Sequence, residues 1–253
     1  MKNPYPPLVS NPVLKRSDVN DIIRGAEKYL GENGFYLPPF CNMSPRDLES
    51  VPNPQAHRDI VECGLGWDVT DFGYGQFPGH GKKGIGLLLV TMRNGRADDP
   101  SRPYCEKLML VDGITPFHHH AKKTEDIICR GGSPLLLVVY KVGNNEGFSR
   151  KPFVALMDGQ EIEFPAGSEI ILEPGQSITL TPDLYHEFRS ADDGRGSIVG
   201  EVSTVNDDAH DNFPKWPWAR FSGIIEDTEP YRLLCSEYEE KLSWAREMLV
   251  GQL

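Results

Sequence analysis

Between Trp67 and Val205 the chain alternates short apolar runs with proline- and glycine-containing turns. The runs occupy residues 85–93, 107–111, 135–140, 160–164, 169–172, 177–180 and 197–205, with Pro165-Ala166-Gly167 and Glu173-Pro174-Gly175 between neighbours. Short runs rich in Val, Ile and Leu with turn residues at this spacing form strands of a sandwich or barrel. The 21 prolines and 25 glycines in 253 residues fit that reading better than a helix bundle. The chain is therefore expected to be all-β in its central part, with ample length for one sizeable core.

The flanks read differently. Residues 1–16 form an irregular, proline-rich arm, and residues 17–30 form a helix capped by Ser17 and ended by Gly31 and Gly34. Ser44-Pro45 opens a short helical turn. Residues 236–250 are helical, with Tyr238, Leu242 and Met248 among the apolar positions. This divides the chain into 1–66 (arm and helices), 67–215 (barrel) and 216–253 (an aromatic segment and a helix), all within one structural domain. The glycines of residues 73–84 make a loop, since no phosphate-binding motif follows a strand and opens a helix there.

Charge and composition exclude several classes of partner. Twenty-six basic against 37 acidic residues give a net charge of −11, unfavourable for nucleic acid or an anionic membrane. No apolar run reaches the roughly 20 residues of a membrane span, and the first residues lack the apolar core of a signal peptide. Cys41, Cys63, Cys105, Cys129 and Cys235 are odd in number and contain no CxxC pair, as expected of reduced thiols in the cytoplasm. A neutral small molecule such as a sugar would be indifferent to the acidic field.

The chemistry concentrates in residues 116–126, which hold His118, His119, His120, Lys122, Lys123 and Glu125. On a strand, side chains alternate, so His118 and His120 share one face and His119 takes the other. Glu125 lies beyond a turn, where a returning strand brings it to the histidine face. A carboxylate beside two imidazoles suits Mn, Fe or Zn. His186, between two further strands, supplies a third imidazole. An octahedral cation on these four ligands keeps room for two adjacent oxygens of a substrate. A lone strand histidine is more often structural, and His57, His80 and His210 are read that way.

His118-x-His120 with Glu125, Gly113 and Gly132, followed by Gly175, Pro182 and His186, resembles the two metal motifs of the cupins. The first spacer is one residue short, and the second motif lacks its internal glycine and trailing asparagine. Within the cupins the chain resembles the D-lyxose isomerase family from end to end. The matching stretches are residues 37–40, 66–73 (Gly-Trp-Asp-Val-Thr-Asp-Phe-Gly), 93–95, 104–107, 120–132, 200–208 and 231–238. The resemblance implies a cupin barrel, a double-stranded β-helix or jelly roll, with N- and C-terminal helices packed outside. It further implies a homodimeric, Mn2+-dependent isomerase, with Co2+, Fe2+ or Zn2+ as other occupants, interconverting D-lyxose with D-xylulose and often D-mannose with D-fructose. It places a catalytic lysine at Lys123. Aligned from the C-terminal tail it favours Glu226 as the catalytic carboxylate, with Glu201 as the rival. Lys107, Asp207 and Asp208 are candidates for sugar hydroxyls. Trp216, Trp218 and Phe221 offer either a stacking surface or core packing. Two other readings use the same ligands: an Fe-dependent dioxygenase, and a non-catalytic, metal-stabilised sugar-binding cupin.

Overall fold

The structure is a computed structural model that describes residues 1–78, 84–96, 98–192, 196–208, 210–219 and 221–250. In chain order the strands are β1 (Leu14–Lys15), β2 (Gly66–Thr70), β3 (Leu87–Asn94), β4 (Cys105–Val111), β5 (Thr115–His119), β6 (Glu125–Gly132), β7 (Leu135–Lys141) and β8 (Phe153–Met157). They continue as β9 (Gln160–Phe164), β10 (Ser168–Leu172), β11 (Ser177–Leu180), β12 (Leu184–Ser190), β13 (Ser197–Ser203), β14 (Phe213–Pro214) and β15 (Ile224–Ile225). Two antiparallel sheets carry the fold, one in the order β2-β3-β4-β13-β6-β11-β8-β9 and the other β10-β7-β12-β5-β14. One core cluster draws Leu89, Met109, Ile127, Val199 and Ile178 from the first sheet and Leu137, Val139, Ile170 and Phe188 from the second. The sheets therefore face each other across a shared interior, the layering of a jelly roll.

Alternation decides what points inward. In β6 the buried positions are Glu125, Ile127 and Cys129, and in β7 Leu135, Leu137 and Val139. β2 and the first half of β3 are buried on both faces, because helix α1 (Arg16–Glu32) covers the outside. Val19, Ile23 and Ala26 of α1 pack on Trp67, Val69, Leu88 and Val90. This explains why the run in residues 85–93 is continuously apolar rather than alternating.

Three of the departures from the sequence expectation have a clear cause in local contacts. α1 starts at Arg16, because Asp18 accepts a hydrogen bond from the Lys15 amide (2.9 Å), while Ser17 is bonded to Asp227. β8 lies in a stretch not read as a strand; the two-residue loop Asp158-Gly159, with φ of 51° and 82°, turns it back onto β9 in hairpin geometry. The C-terminal helix is broken into α2 (Tyr238–Lys241) and α3 (Ser243–Val250). Leu242 between them is extended and buried against Leu48 and Trp244, and the Ser243 amide donates to Glu49 (3.0 Å). Those tertiary contacts outweigh the helical continuation that the apolar spacing favours. Strand boundaries otherwise lie close to those expected.

Candidate metal centre and active site

Cross-strand register assembles the site. β5 and β12 are paired with His186 opposite His118, β13 and β4 with Glu201 opposite Lys107, and β13 and β6 with Ser203 opposite Glu125. These side chains, with Lys123 and His120 from the turn between β5 and β6, line or adjoin a cavity of about 270 Å3. Its lining combines polar residues, among them Lys107, Lys123, Glu201 and Asp208, with apolar ones such as Leu89, Met109, Phe72 and Trp218.

His118, His120 and His186 bring ligand nitrogens within 4.8 Å of one another. Each ring is oriented by its Nδ1, which donates to a backbone carbonyl: His118 to Pro116 (2.8 Å), His186 to Leu184 (3.1 Å) and His120 to Asp211. That assignment leaves each of the three Nε2 atoms with a free lone pair in the same buried space. Nε2 of His118 and Nε2 of His186 are 3.0 Å apart, and Glu125 Oε1 lies 3.1 Å from Nε2 of His186. His120 Nε2 is buried with no hydrogen-bond partner. Acceptors facing acceptors in a buried space repel one another unless a cation lies between them, so the donor set fits a divalent metal. Burial, with His186 and His120 beside it, holds His118 well below the usual imidazole value, and burial lowers His120 to about 4. Both rings are neutral near pH 7, the form that ligates.

Lys123 is no surface charge. Its ammonium lies 2.7 Å from Glu125 Oε2 and 3.0 Å from Glu201 Oε1, and the residue is 4 % exposed. Burial alone would lower its pKa, but Glu125, Glu201 and Asp208 outweigh burial and hold it above the ordinary lysine value. The same two pulls act on Lys107, 3.5 Å from Asp208, and the result is again upward. Glu125 is held well below the carboxylate range, burial notwithstanding, by Lys123, His120 and His186.

Asp211, to which the sequence assigns no role, holds the turn in place. Its carboxylate accepts from the amides of Ala121 (2.9 Å), Lys122 (3.0 Å) and Lys123 (2.8 Å), while its carbonyl receives His120. Phe72, also unanticipated, has a φ of 51°. Asp71 maintains that left-handed turn by accepting from the amides of Gly73, Gly75 and Ser222. Phe72 then stacks on Trp218 (ring centroids 4.9 Å apart) at the cavity wall.

Not every expected residue comes to the cavity. Glu226 lies outside it, half-exposed, with Oε1 2.7 Å and Oε2 3.0 Å from the Arg16 guanidinium. Of Glu201 and Glu226, it is Glu201 that lies beside Lys123, which also contacts Glu125. Asp207 is exposed and pairs with His210, whereas Asp208 reaches Lys107. His119 faces away, stacked on Phe213 and edge-on to Tyr185. Trp216 and Phe221 pack in hydrophobic clusters. His57 contacts the Asn53 carbonyl, and His80 lies outside the described residues.

The family model described as D-lyxose isomerase matches residues 14–238. The chain belongs to the D-lyxose isomerase family. Among its relatives in this family, the D-lyxose/D-mannose isomerase of Escherichia coli O157:H7 is 39 % identical over 232 residues, covering 90 % of this chain and 99 % of the relative. That of Serratia proteamaculans is 38 % identical over 229 residues, covering 89 % and 98 %. Among solved structures, an L-ribose isomerase of Acinetobacter sp. DL28 aligns with a TM-score of 0.57 at 16 % identity, over 85 % of this chain and all of that one. The L-ribose isomerase of Cellulomonas parahominis aligns with a TM-score of 0.57 at 17 % identity, over 86 % of this chain and 100 % of its own. These two likenesses establish the fold that the D-lyxose isomerase family member shares with them.

Proposed function

We propose that this protein is a metal-dependent aldose–ketose isomerase that interconverts D-lyxose with D-xylulose, and D-mannose with D-fructose. The observation that carries the reading is the buried Lys123–Glu201 pair, 3.0 Å apart, on the wall of a cavity shared with the three-histidine cluster. Membership of the D-lyxose isomerase family supports the substrate class. His118, His120, Glu125 and His186 would hold the cation, with Mn2+ first and Co2+, Fe2+ or Zn2+ as other occupants. When bound, a divalent cation supplies Lewis-acid stabilisation of negative charge on the sugar's oxygens.

The chain's own residues supply the proton chemistry. Glu201 takes the proton from C2 of the open-chain aldose; the C2–H electron pair forms the C1–C2 double bond while the C1=O π pair moves onto O1, which gains a proton to give the ene-diol. Return of that proton to C1 completes the ketose. Lys123, a donor bonded to Glu201 and held protonated, serves the O1 and O2 hydroxyls between which a second proton must move. Lys107 and Asp208, 3.5 Å apart in the same cavity, bind hydroxyls further along the chain. Phe72 and Trp218 cover the cavity and exclude water. A small cavity of this kind suits a monosaccharide as partner. The same reading takes the enzyme as a homodimer, from the family resemblance, and as cytoplasmic, with which five free cysteines are in keeping.

The test strips the metal, restores Mn2+, Co2+, Fe2+ or Zn2+ singly, and follows lyxose and mannose under anaerobic conditions. Restored turnover without oxygen is expected. Turnover that requires oxygen would identify a dioxygenase, and none with any pentose or hexose would leave a binding module. Glu201→Gln should lower kcat by about 10²-fold or more with metal content unchanged.

A further inference from the structure

We propose that Tyr5, in the N-terminal arm, is a positioning residue of the metal centre, acting on His118 through the Pro116–Phe117 peptide group. The proposal rests on the reading of His118, His120, Glu125 and His186 as metal ligands. Tyr5 precedes residue 14, where the match to the family model begins.

The argument starts at an irregularity. In the β5–β12 ladder His186 faces His118, but the next pair is Phe188 with Thr115, so Pro116 and Phe117 together oppose the single residue Glu187. This is a β-bulge, and a bulge leaves a ladder group without its partner. Proline has no amide hydrogen, so the group at stake is the Phe117 N–H. It donates to the Tyr5 hydroxyl oxygen at 2.9 Å, and the Tyr5 hydroxyl donates to Glu187 Oε2 at 2.5 Å. The carbonyl of the same Pro116–Phe117 peptide accepts the Nδ1–H of His118 at 2.8 Å. One continuous chain therefore runs from His118 through a peptide group and a phenol to a buried carboxylate. Hydrogen bonds in such a chain polarise one another. A more strongly accepting Pro116 carbonyl fixes the tautomer and tilt of His118 and makes its Nε2 a better ligand, as a direct carboxylate partner does. Glu187 follows His186 in sequence, so Tyr5 clamps the two ligand-bearing strands together at the bulge.

The arm is held where this requires. The Tyr5 ring contacts Tyr74 (5.7 Å between centroids) and meets Trp216 edge-on (5.6 Å). Further along, the Val9 amide donates to the Gly73 carbonyl (2.9 Å), beside the strained Phe72 of the cavity wall.

Tyr5→Phe keeps the ring and removes the hydroxyl. Mn2+ affinity of the full-length protein, read from the free Mn2+ resonance in competition with a chelator, is expected to fall about 3- to 10-fold, less than a direct second partner costs. Glu187→Gln should shift it the same way, and Tyr5→Phe/Glu187→Gln should bind no more weakly than Tyr5→Phe alone. Tyr74→Phe, which removes a neighbouring hydroxyl bonded to the Pro217 carbonyl, should leave affinity unchanged whatever it does to stability. Wild-type affinity in Tyr5→Phe, or additive losses in the double variant, would overturn the role of Tyr5 and leave the metal centre standing. A wild type that binds none of the four cations would overturn the metal centre and this role with it.

Discussion

Substituting Asp211 by Asn tests how the turn bearing His120 and Lys123 is held. One carboxylate oxygen accepts from Ala121 (2.9 Å) and Lys122 (3.0 Å), and the other accepts from Lys123 (2.8 Å) and Lys122 (3.2 Å). Asparagine keeps one of these oxygens and presents an NH2 donor in place of the other. Whichever way the amide turns, at least one amide N–H then faces a donor, at a residue only 6 % exposed. An unsatisfied buried donor costs about 1–3 kcal/mol, and the surviving bonds lose their charge assistance, so a total of about 2–4 kcal/mol is expected. The shape of the side chain is unchanged, so packing adds little. Displacing Lys123 relative to Glu201 also misaligns the proton-transfer pair, for which about 10- to 100-fold in kcat/KM is reasonable. Urea unfolding of the metal-free protein measures the first effect, and steady-state isomerisation of lyxose by the Mn2+ form measures the second. An Asn variant within about 0.5 kcal/mol of wild type and fully active would show that the turn is held by other means.

Three further outcomes follow from the same geometry. Glu226→Ala should leave kcat/KM within twofold of wild type and cost about 1 kcal/mol, since the half-exposed carboxylate is partly screened and Arg16 keeps Glu237; a hundredfold loss of turnover would return Glu226 to the site. The metal-free protein should lose stability as pH falls from about 6.5 toward 4, because His118 and His120 are neutral in the fold, yet ordinary once unfolded. For His120 that loss reaches roughly 3 kcal/mol, and urea midpoints that stay flat between pH 7 and 5 would contradict it. Mn2+ at about 100 times its dissociation constant should stabilise by about 2.7 kcal/mol and raise Tm by about 5–10 °C. EDTA should reverse the shift, and His118→Ala should abolish it; a shift that survives that substitution would place the cation elsewhere.

Local periodicity made parts of this legible in the sequence. Alternation alone separates His118 and His120 from His119, and the turn residues delimit most strands of both sheets. The rest depends on register and long-range contact. Glu201 and Glu226 look alike as letters, but only pairing of β13 with β4 sets Glu201 beside Lys107, and alignment from the tail cannot supply that register. Asp211 acts on amides nearly ninety residues earlier, which no spacing rule anticipates. Tyr5 sits in an arm whose prolines suggest only irregular chain, because the vacancy it fills is created by a bulge between two other strands. The break in the C-terminal helix has a similar cause: Leu242 fits a helical face, yet it packs with Leu48 and Trp244 in extended form.

The Arg16 cluster bears on how this chain is made. A fully buried guanidinium at the start of α1 meets Glu226 and Glu237, partners more than 200 residues later, and β1 beside it pairs in parallel with β15. During synthesis α1 can settle on β2 and β3 before residues 224–237 are made, but until then the Arg16 guanidinium lacks both carboxylates and stays solvated. The first helix is therefore fully docked only once the segment bearing Glu226 and Glu237 has folded against it, which ties residues 14–32 and 224–237 into one cooperative unit although they are far apart in the chain.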